Sequence, residues 1–260
     1  MTQTPNGKPV FTGVGVALVT FFDSHGHVDY AATAGHAGDL AQRGVRALIV
    51  AGVTGESPHL SMKERLQLFD AVKTAVAGSS VPVVLGTGAL APGVKVTDLT
   101  KRAAEHGADA ALVLAPNSGD VREFYGEVVA SAGKMPVLAY HNPKVSMTNI
   151  EVDDLRVLKV AGIKDSTGDS ERMLDMLSVY KGAIYTGTAS MLAYSGLMGC
   201  TGAILAAANL EPERCSDAFA GDIQAQRDLL PVHKIVSHYG VKGIKEELAR
   251  RQGTSTIVRC

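Results

Sequence analysis

The sequence predicts an α/β fold in which eight parallel strands form a (β/α)8 TIM barrel, followed by a short C-terminal helical extension. Short apolar segments recur along the chain, and segments of helical periodicity separate them. One domain of this kind fits within 260 residues. A doubly wound open sheet is the alternative, but the chain lacks a dinucleotide-binding fingerprint, so the barrel is preferred.

The predicted strands are apolar along their whole length, as expected where helices cover one face and a barrel interior the other. The first strand, at 13–20, is rich in valine and ends at Phe21 and Phe22. The remaining strands are predicted at 46–51, 81–85, 109–115, 135–140, 160–164, 183–186 and 202–206.

Capping signals delimit the helices between these strands. Gly44 follows the first helix as a C-terminal cap. Ser61-x-x-Glu64 and Thr148-x-x-Glu151 match the capping box that starts a helix. Helices are predicted at 30–43, 61–77, 96–106, 121–132, 148–159, 168–180 and 190–198.

The pattern divides the chain into three parts. A polar segment at 1–12 is predicted to be flexible, the barrel occupies 13–210, and helices occupy 211–260. The terminal helices are predicted at 216–239 and 242–251, packed outside the barrel.

Composition excludes several classes of function. The formal net charge is −1 and the basic residues are dispersed, which argues against nucleic acid or an anionic membrane as a partner. Three cysteines without paired spacing argue against disulfides and a structural zinc site, and they favour a cytoplasmic location. No secretory signal, membrane span, metal site or cofactor is predicted. The expected partners are small molecules and copies of the chain itself.

Lys164 is the candidate nucleophile. It ends the apolar segment of the sixth strand and is followed by small polar residues. Burial at a strand end disfavours the ammonium form, and a neutral amine can attack a ketone to form a Schiff base. The alternative is a structural lysine that extends its charge to solvent.

Other candidates follow from the rule that a parallel barrel builds its active site at the carboxyl ends of the strands. After the second strand, Gly52, Val53 and Thr54 form a turn that can bind a carboxylate, or an ordinary tight turn. Glu56 is either a buried acid or an outward helix-starting charge.

The fifth strand supplies Tyr140, either as an acid and base for a carbinolamine or as a core residue with a solvated hydroxyl. Strands five and six are neighbours, so Tyr140 and Lys164 are expected within contact range. Gly187 and Thr188 after the seventh strand and Ile204 on the eighth are expected at the same opening.

Three motifs together resemble the dihydrodipicolinate synthase and N-acetylneuraminate lyase family. They are Gly-x-Thr-Gly-Glu at 52–56, Tyr-x-x-Pro at 140–143 and Gly-Ile-Lys-Asp-Ser-Thr-Gly at 162–168. The resemblance implies a Schiff-base enzyme that acts on pyruvate or another 2-oxo acid without a metal. It implies that Lys164 forms the imine, that Tyr140 transfers protons, and that Thr54 holds the carboxylate of the 2-oxo acid.

Three departures from the family pattern indicate a changed acceptor pocket. Val53 stands where relatives carry the hydroxyl that relays protons beside the tyrosine, the loop 115–119 has no tyrosine, and Val145 replaces an arginine that binds a distal carboxylate. Synthesis in the lysine pathway is therefore not expected. The side chains that can bind a different acceptor substrate are Asn117, Ser118, His141, Asn142 and Lys144. His141 is also a hypothetical substitute for the relay hydroxyl.

The sequence thus predicts a lyase that makes or cleaves a C–C bond between a 2-oxo acid and an aldehyde, as a homo-oligomer, either a dimer or a tetramer. Two alternatives stay open. One is a dehydratase or hydratase-aldolase that uses the same imine on a 2-keto-3-deoxy sugar acid. The other is a homologue without catalysis that only binds a 2-oxo acid.

Overall fold

The computed structural model describes residues 8–88 and 93–259. Its strands close into one barrel in which every neighbouring pair is parallel. The predicted (β/α)8 fold is confirmed. The strands are β1 Gly13–Ala17, β2 Ala47–Val50, β3 Val83–Gly86, β4 Ala110–Leu114, β5 Val137–His141, β6 Gly162–Asp165, β7 Ala183–Thr186 and β8 Gly202–Leu205.

Helices follow most of the strands as predicted, and the capping box at the start of the second helix is present. The Ser61 hydroxyl accepts the Glu64 N–H, and the Glu64 carboxylate accepts the Ser61 N–H at 2.9 Å. The described helices are α1 Tyr30–Gln42, α2 Met62–Ala75, α3 Val96–Glu105, α4 Val121–Ala132, α5 Ser170–Val179, α6 Leu192–Leu197, α7 Pro212–Phe219, α8 Ile223–Asp228 and α9 Leu230–Gln252. In this part of the chain no helix has both the length and the apolar character to cross a membrane.

The helix predicted at 148–159 is wrong. The chain forms only a 3-10 helix at Val152–Arg156, and its start is capped by Asp154, which accepts the Glu151 N–H at 3.0 Å. The capping signal therefore acts one turn later than Thr148, and the segment that it starts is a 3-10 helix of five residues. The helix predicted at 190–198 is likewise shorter, since a 3-10 turn at Ala189–Met191 precedes α6.

Side chains alternate along each strand between the barrel interior and the surrounding helices. The interior begins before the predicted boundary at residue 13, because Phe11 is buried and stacks on Tyr185 with ring centroids 4.5 Å apart. Residues 1–7 of the predicted flexible segment lie outside the described residues. The interior cluster consists of Phe11, Ala17, Ala47, Ile49, Val84, Ala110, Leu112, Leu114, Leu138, Tyr140, Ala161, Ala183, Tyr185 and Ile204.

The terminal helices differ from the prediction in their placement. The helix α9 is bent at Gly240, whose φ of 57° falls in the left-handed region, and this bend coincides with the break predicted between 239 and 242. Residues on both sides of the bend line the cavity that contains Lys164. The helix α9 thus covers the carboxyl end of the barrel and does not pack only outside it.

A buried ion pair ties α9 to the turn after β2. Lys245 donates to the Glu56 carboxylate at 2.5 Å, and both side chains are almost fully buried. The other oxygen of Glu56 accepts the backbone N–H of Arg259 at 2.8 Å. Of the two interpretations of Glu56, the structure selects the buried acid.

Candidate active site

The strands β5 and β6 bring Tyr140 and Lys164 side by side. The two residues are register partners, and the Lys164 Nζ lies 4.2 Å from the centroid of the Tyr140 ring. Both side chains are buried, with 5% of Lys164 and 6% of Tyr140 exposed. The expected contact between the two residues is confirmed, and it follows from pairing on adjacent parallel strands.

A cavity of about 390 Å³ opens above this pair at the carboxyl end of the barrel. Most of the predicted site residues line it: Val53, Thr54, Tyr140, Asn142, Lys144, Lys164, Gly187 and Thr188. Gly52 instead lines a small adjoining cavity that shares Val53 and Tyr140 with the larger one.

The turn after β2 has a strained backbone at both ends. Ala51 and Glu56 adopt positive φ values of 51° and 58°, which are uncommon for residues other than glycine. Hydrogen bonds from Ser57 N–H to the Gly52 carbonyl and from Glu56 N–H to the Val53 carbonyl close the turn. The ion pair between Glu56 and Lys245 holds the C-terminal end of this turn. The turn therefore presents Thr54 to the cavity in a fixed conformation.

Besides Gly52, four residues predicted at the site do not line this cavity, namely Asn117, Ser118, His141 and Ile204. His141 follows Tyr140 on β5 and so points to the opposite side of the sheet, where its Nδ1 accepts the Ile150 N–H at 3.2 Å. Burial and, next, the positive charge of Arg172 lower the pKa of His141. Ile204 is fully buried in the barrel interior and is not among the residues that line the cavity. The structure therefore does not place His141 where it can substitute for a relay hydroxyl.

Asn142 contacts the Tyr140 hydroxyl directly. Its Nδ2 lies 2.9 Å from the Tyr140 oxygen, and its Oδ1 accepts the backbone N–H of Lys144 at 3.2 Å. The Asn142 carbonyl accepts the N–H groups of Val145 and Ser146, both at 3.0 Å. Asn142 is thereby fixed at the start of a turn that carries Lys144 to the rim of the cavity.

Sequence reasoning missed three polar residues that line the cavity, namely Ser166, His233 and Ser237. Ser166 lies two residues after Lys164 in the motif at 162–168, so the sequence alone could have indicated it as a site residue. His233 and Ser237 lie on α9, and nothing in the sequence indicates that this helix reaches the active site.

The cavity favours anions. Among the described residues that line it there is no aspartate or glutamate, whereas Lys144, Lys164 and His233 are present. Burial, followed by the positive charges of His238 and Lys144, lowers the pKa of His233. The carboxylate of Asp165, next to Lys164, pairs with Arg172 at 2.8 Å and is not among the residues that line the cavity.

Gly187 leaves room at the edge of the site. A Cβ atom at this position would lie 1.9 Å from the Ser166 hydroxyl oxygen, so any larger residue would displace Ser166. Glycine is therefore required at position 187 for Ser166 to keep its place at the cavity.

Comparisons with known proteins identify the family of the chain. The model of a family described as the dihydrodipicolinate synthetase family matches residues 10–256. A 4-hydroxy-tetrahydrodipicolinate synthase of Agrobacterium fabrum is 32% identical, with coverage of 96% of this chain and 91% of the relative. The enzyme of the same name from Pseudomonas aeruginosa is 33% identical over 86% of this chain and 82% of its own length. A solved structure, the chloride-inhibited dihydrodipicolinate synthase from Acinetobacter baumannii complexed with pyruvate, is 27% identical with a TM-score of 0.86, and covers 95% of this chain and 91% of its own.

Proposed function

The chain belongs to the dihydrodipicolinate synthetase family and is a lyase of the aldolase type, and we propose that Lys164 forms an imine with pyruvate or a related 2-oxo acid. The enzyme then makes or cleaves a C–C bond between that acid and an aldehyde. The proposal uses no metal or cofactor.

One observation carries this proposal, namely the pairing of Lys164 and Tyr140 beneath a cavity whose described lining residues include no carboxylate. A buried amine beside a phenol supplies both a nucleophile and a proton donor for imine chemistry. The Acinetobacter baumannii synthase, a protein of the same fold, is complexed with pyruvate, which supports a 2-oxo acid as the ligand.

In the proposed mechanism the 2-oxo acid lies with its carboxylate at Thr54 and its carbonyl carbon at the Lys164 amine. The amine attacks this carbon, and a proton moves from nitrogen to oxygen to give a carbinolamine. Tyr140 then protonates the carbinolamine hydroxyl, the C–O bond breaks, and water leaves. The nitrogen lone pair completes an iminium ion, and Tyr140 remains as a phenolate.

The phenolate next removes a proton from the carbon adjacent to the iminium, which gives an enamine and restores the phenol. The enamine carbon attacks the carbonyl of an aldehyde and forms the new C–C bond, the nitrogen becomes an iminium again, and Tyr140 gives its proton to the aldehyde oxygen. Water then adds to the iminium carbon and the C–N bond breaks, which releases the 2-oxo acid product, frees the Lys164 amine and returns a proton to the Tyr140 phenolate. Cleavage is the reverse of these steps. One tyrosine can serve both directions because its proton is returned in each cycle.

The acceptor in this proposal differs from that of the synthases in the family. Val145 packs against the interior cluster and offers no charge, the loop 115–119 carries no tyrosine, and Val53 has no hydroxyl. Lys144 and His233 instead line the outer part of the cavity. We propose that these two residues face the distal end of the acceptor, and that the chain lacks efficient 4-hydroxy-tetrahydrodipicolinate synthase activity.

Borohydride trapping tests the imine. We expect incubation with pyruvate and sodium borohydride to leave a reduced pyruvyl adduct on the peptide that contains Lys164, because the reductant fixes the C=N bond. The adduct should be absent from Lys164→Met and present in Lys159→Met, a control at an exposed lysine. Peptide mass spectrometry provides the readout.

The outcomes separate the candidates. No adduct in the folded wild type with pyruvate or other 2-oxo acids would contradict the proposal and favour a homologue that only binds its ligand. With the adduct established, a screen of aldehydes finds the acceptor. Loss of water from a 2-keto-3-deoxy sugar acid without release of pyruvate would identify the dehydratase alternative, whereas release of pyruvate and an aldehyde is the cleavage expected of the proposed lyase.

The proposal includes a homo-oligomer, a dimer or a tetramer. Large apolar side chains are exposed on neighbouring helices of one side of the barrel, with 64% of Leu197, 54% of Ile223 and 52% of Leu230 exposed. Exposed large apolar side chains on neighbouring helices favour association between copies.

A further inference from the structure

The hydrogen bond between Asn142 and Tyr140 has a defined direction. An asparagine amide can present either its oxygen or its nitrogen to a neighbour, and its hydrogen-bond partners determine which. Here the backbone N–H of Lys144 lies 3.2 Å from one end of the amide, and an N–H can only donate, so that end is the oxygen. The other end, 2.9 Å from the Tyr140 hydroxyl, is therefore the NH₂ group, which donates to the phenol oxygen.

This direction determines where the Tyr140 proton can go. An amide NH₂ is a donor without acceptor capacity, so the phenol cannot donate its own proton to Asn142. Val53, which lies beside Tyr140 in both cavities, carries no hydroxyl that could accept it. The O–H of Tyr140 is left to point toward the cavity and toward whatever occupies it.

We propose that Asn142 is a positioning residue that holds the Tyr140 proton toward the substrate and stabilises the phenolate formed when that proton is transferred. The inference rests on the proposed imine mechanism and deepens it. A donated hydrogen bond is stronger to an anionic oxygen than to a neutral one, so Asn142 favours the phenolate over the phenol. The step that benefits is dehydration of the carbinolamine.

The arrangement also differs in kind from a hydroxyl relay. A hydroxyl beside the tyrosine both donates and accepts, so it can pass a proton onward. The Asn142 amide only donates, so in this chain the proton moves between Tyr140 and the reacting molecule without an intermediate group. In this proposal no residue takes over the relay function that the sequence suggested for His141.

The substitution Asn142→Asp separates this role from a structural one. Aspartate has the same shape and can still accept the Lys144 N–H, so the turn is retained. It cannot donate to Tyr140, and its negative charge opposes a phenolate. The matched control is Asn149→Asp, in the same connection but exposed and away from the cavity.

The measurement is the rate of borohydride-trapped adduct formation on Lys164 with pyruvate, together with turnover once an acceptor is known. For Asn142→Asp we expect both rates to fall at least about tenfold, with Asn149→Asp close to wild type. Thermal unfolding of each variant verifies the fold. If Asn142→Asp is unstable, Asn142→Ser provides a second test, because serine supports a similar turn but is too short to reach the Tyr140 hydroxyl.

The results distinguish this proposal from the proposed function. A wild type that yields no adduct contradicts the imine mechanism itself. A wild type that yields the adduct, with a folded Asn142→Asp that forms it at the same rate, overturns the role of Asn142 alone.

Discussion

At the scale of single residues, a histidine remote from the active site makes stability depend on pH. His36 is 6% exposed, its Nε2 lies 3.3 Å from the Asn209 Oδ1, and among the described residues its Nδ1 has no hydrogen-bond partner. Burial lowers the pKa of His36, an effect that Asn209 and Asp39 only partly offset. The folded protein therefore favours the neutral ring.

The sign of the effect follows from proton binding. As the pH falls through about 6.5, the ordinary value, His36 of the unfolded chain binds a proton before His36 of the folded protein does. Folding stability is consequently present above this pH and decreases below it. His141 and His233 also have lowered pKa values and act in the same direction.

We expect His36→Gln to reduce this pH dependence, because glutamine cannot be protonated. The melting temperature of the wild type should fall between about pH 7.5 and about pH 5.5, and that of His36→Gln should fall less. Thermal unfolding at the two pH values measures the difference. Equal losses in both proteins would show that His36 is not the responsible group.

The structure also explains why the sequence identified Lys164 and Tyr140 but misplaced His141. Strand periodicity and the strand-end rule determine which positions face a barrel mouth, and both residues satisfy them. The same alternation places His141 on the outer side, so that error could have been avoided. Asn142 was predicted as an acceptor contact, whereas its bond to Tyr140 depends on a turn geometry that spacing does not specify.

At the scale of elements, α9 and the turn after β2 are coupled through Lys245 and Glu56. Lys245 also donates to the Ile257 carbonyl at 2.7 Å and lies 4.4 Å from the centroid of the Phe22 ring. Glu56 stands two residues after Thr54, the predicted carboxylate-binding residue. Movement of α9 would therefore alter the turn that is proposed to hold the 2-oxo acid.

Lys245→Met should disturb both stability and substrate binding. Removing the ammonium leaves the Glu56 carboxylate buried without its cation, which costs about 3 kcal/mol or more. We expect a lower free energy of unfolding in urea and a higher KM for pyruvate. Lys242→Met, at an exposed lysine of the same helix, should match the wild type in both measurements. A variant as stable as the wild type would contradict a stabilising role of the ion pair.

The order of strands and helices was accessible to sequence analysis, but the placement of α9 was not. Apolar periodicity and capping residues act within a few turns of chain, and they correctly located most elements. Whether a terminal helix packs beside the barrel or over its end is decided by contacts such as Glu56 with Lys245, which are 189 positions apart. No local pattern carries that information.

At the scale of the whole molecule, the apolar side of α6, α8 and α9 predicts the assembly state. The chain has a mass of 27.1 kDa, and light scattering after size-exclusion chromatography should give two or four times this value. The substitutions Leu197→Glu and Ile223→Glu together should shift the mass toward that of a single chain, because they place charges in an apolar contact.

Met147→Glu is the matched control, since Met147 is 88% exposed but lies in the connection after β5. This variant should retain the wild-type mass. A wild type that elutes with the mass of one chain would contradict the proposed oligomer.

The contacts of Arg259 determine the order in which parts of the structure are completed during synthesis. Its guanidinium donates to the carbonyls of Gly26 and His59 and to the Glu64 carboxylate, and its backbone N–H donates to Glu56. A ribosome synthesises residues 13–205 before the residues that complete these bonds, so the emerging barrel lacks them. The turn that carries Thr54 reaches its finished form only after α9 and the segment that follows it have docked. A nascent chain can therefore bury its hydrophobic interior early, while the cavity beside Lys164 is completed only once Arg259 has left the ribosome.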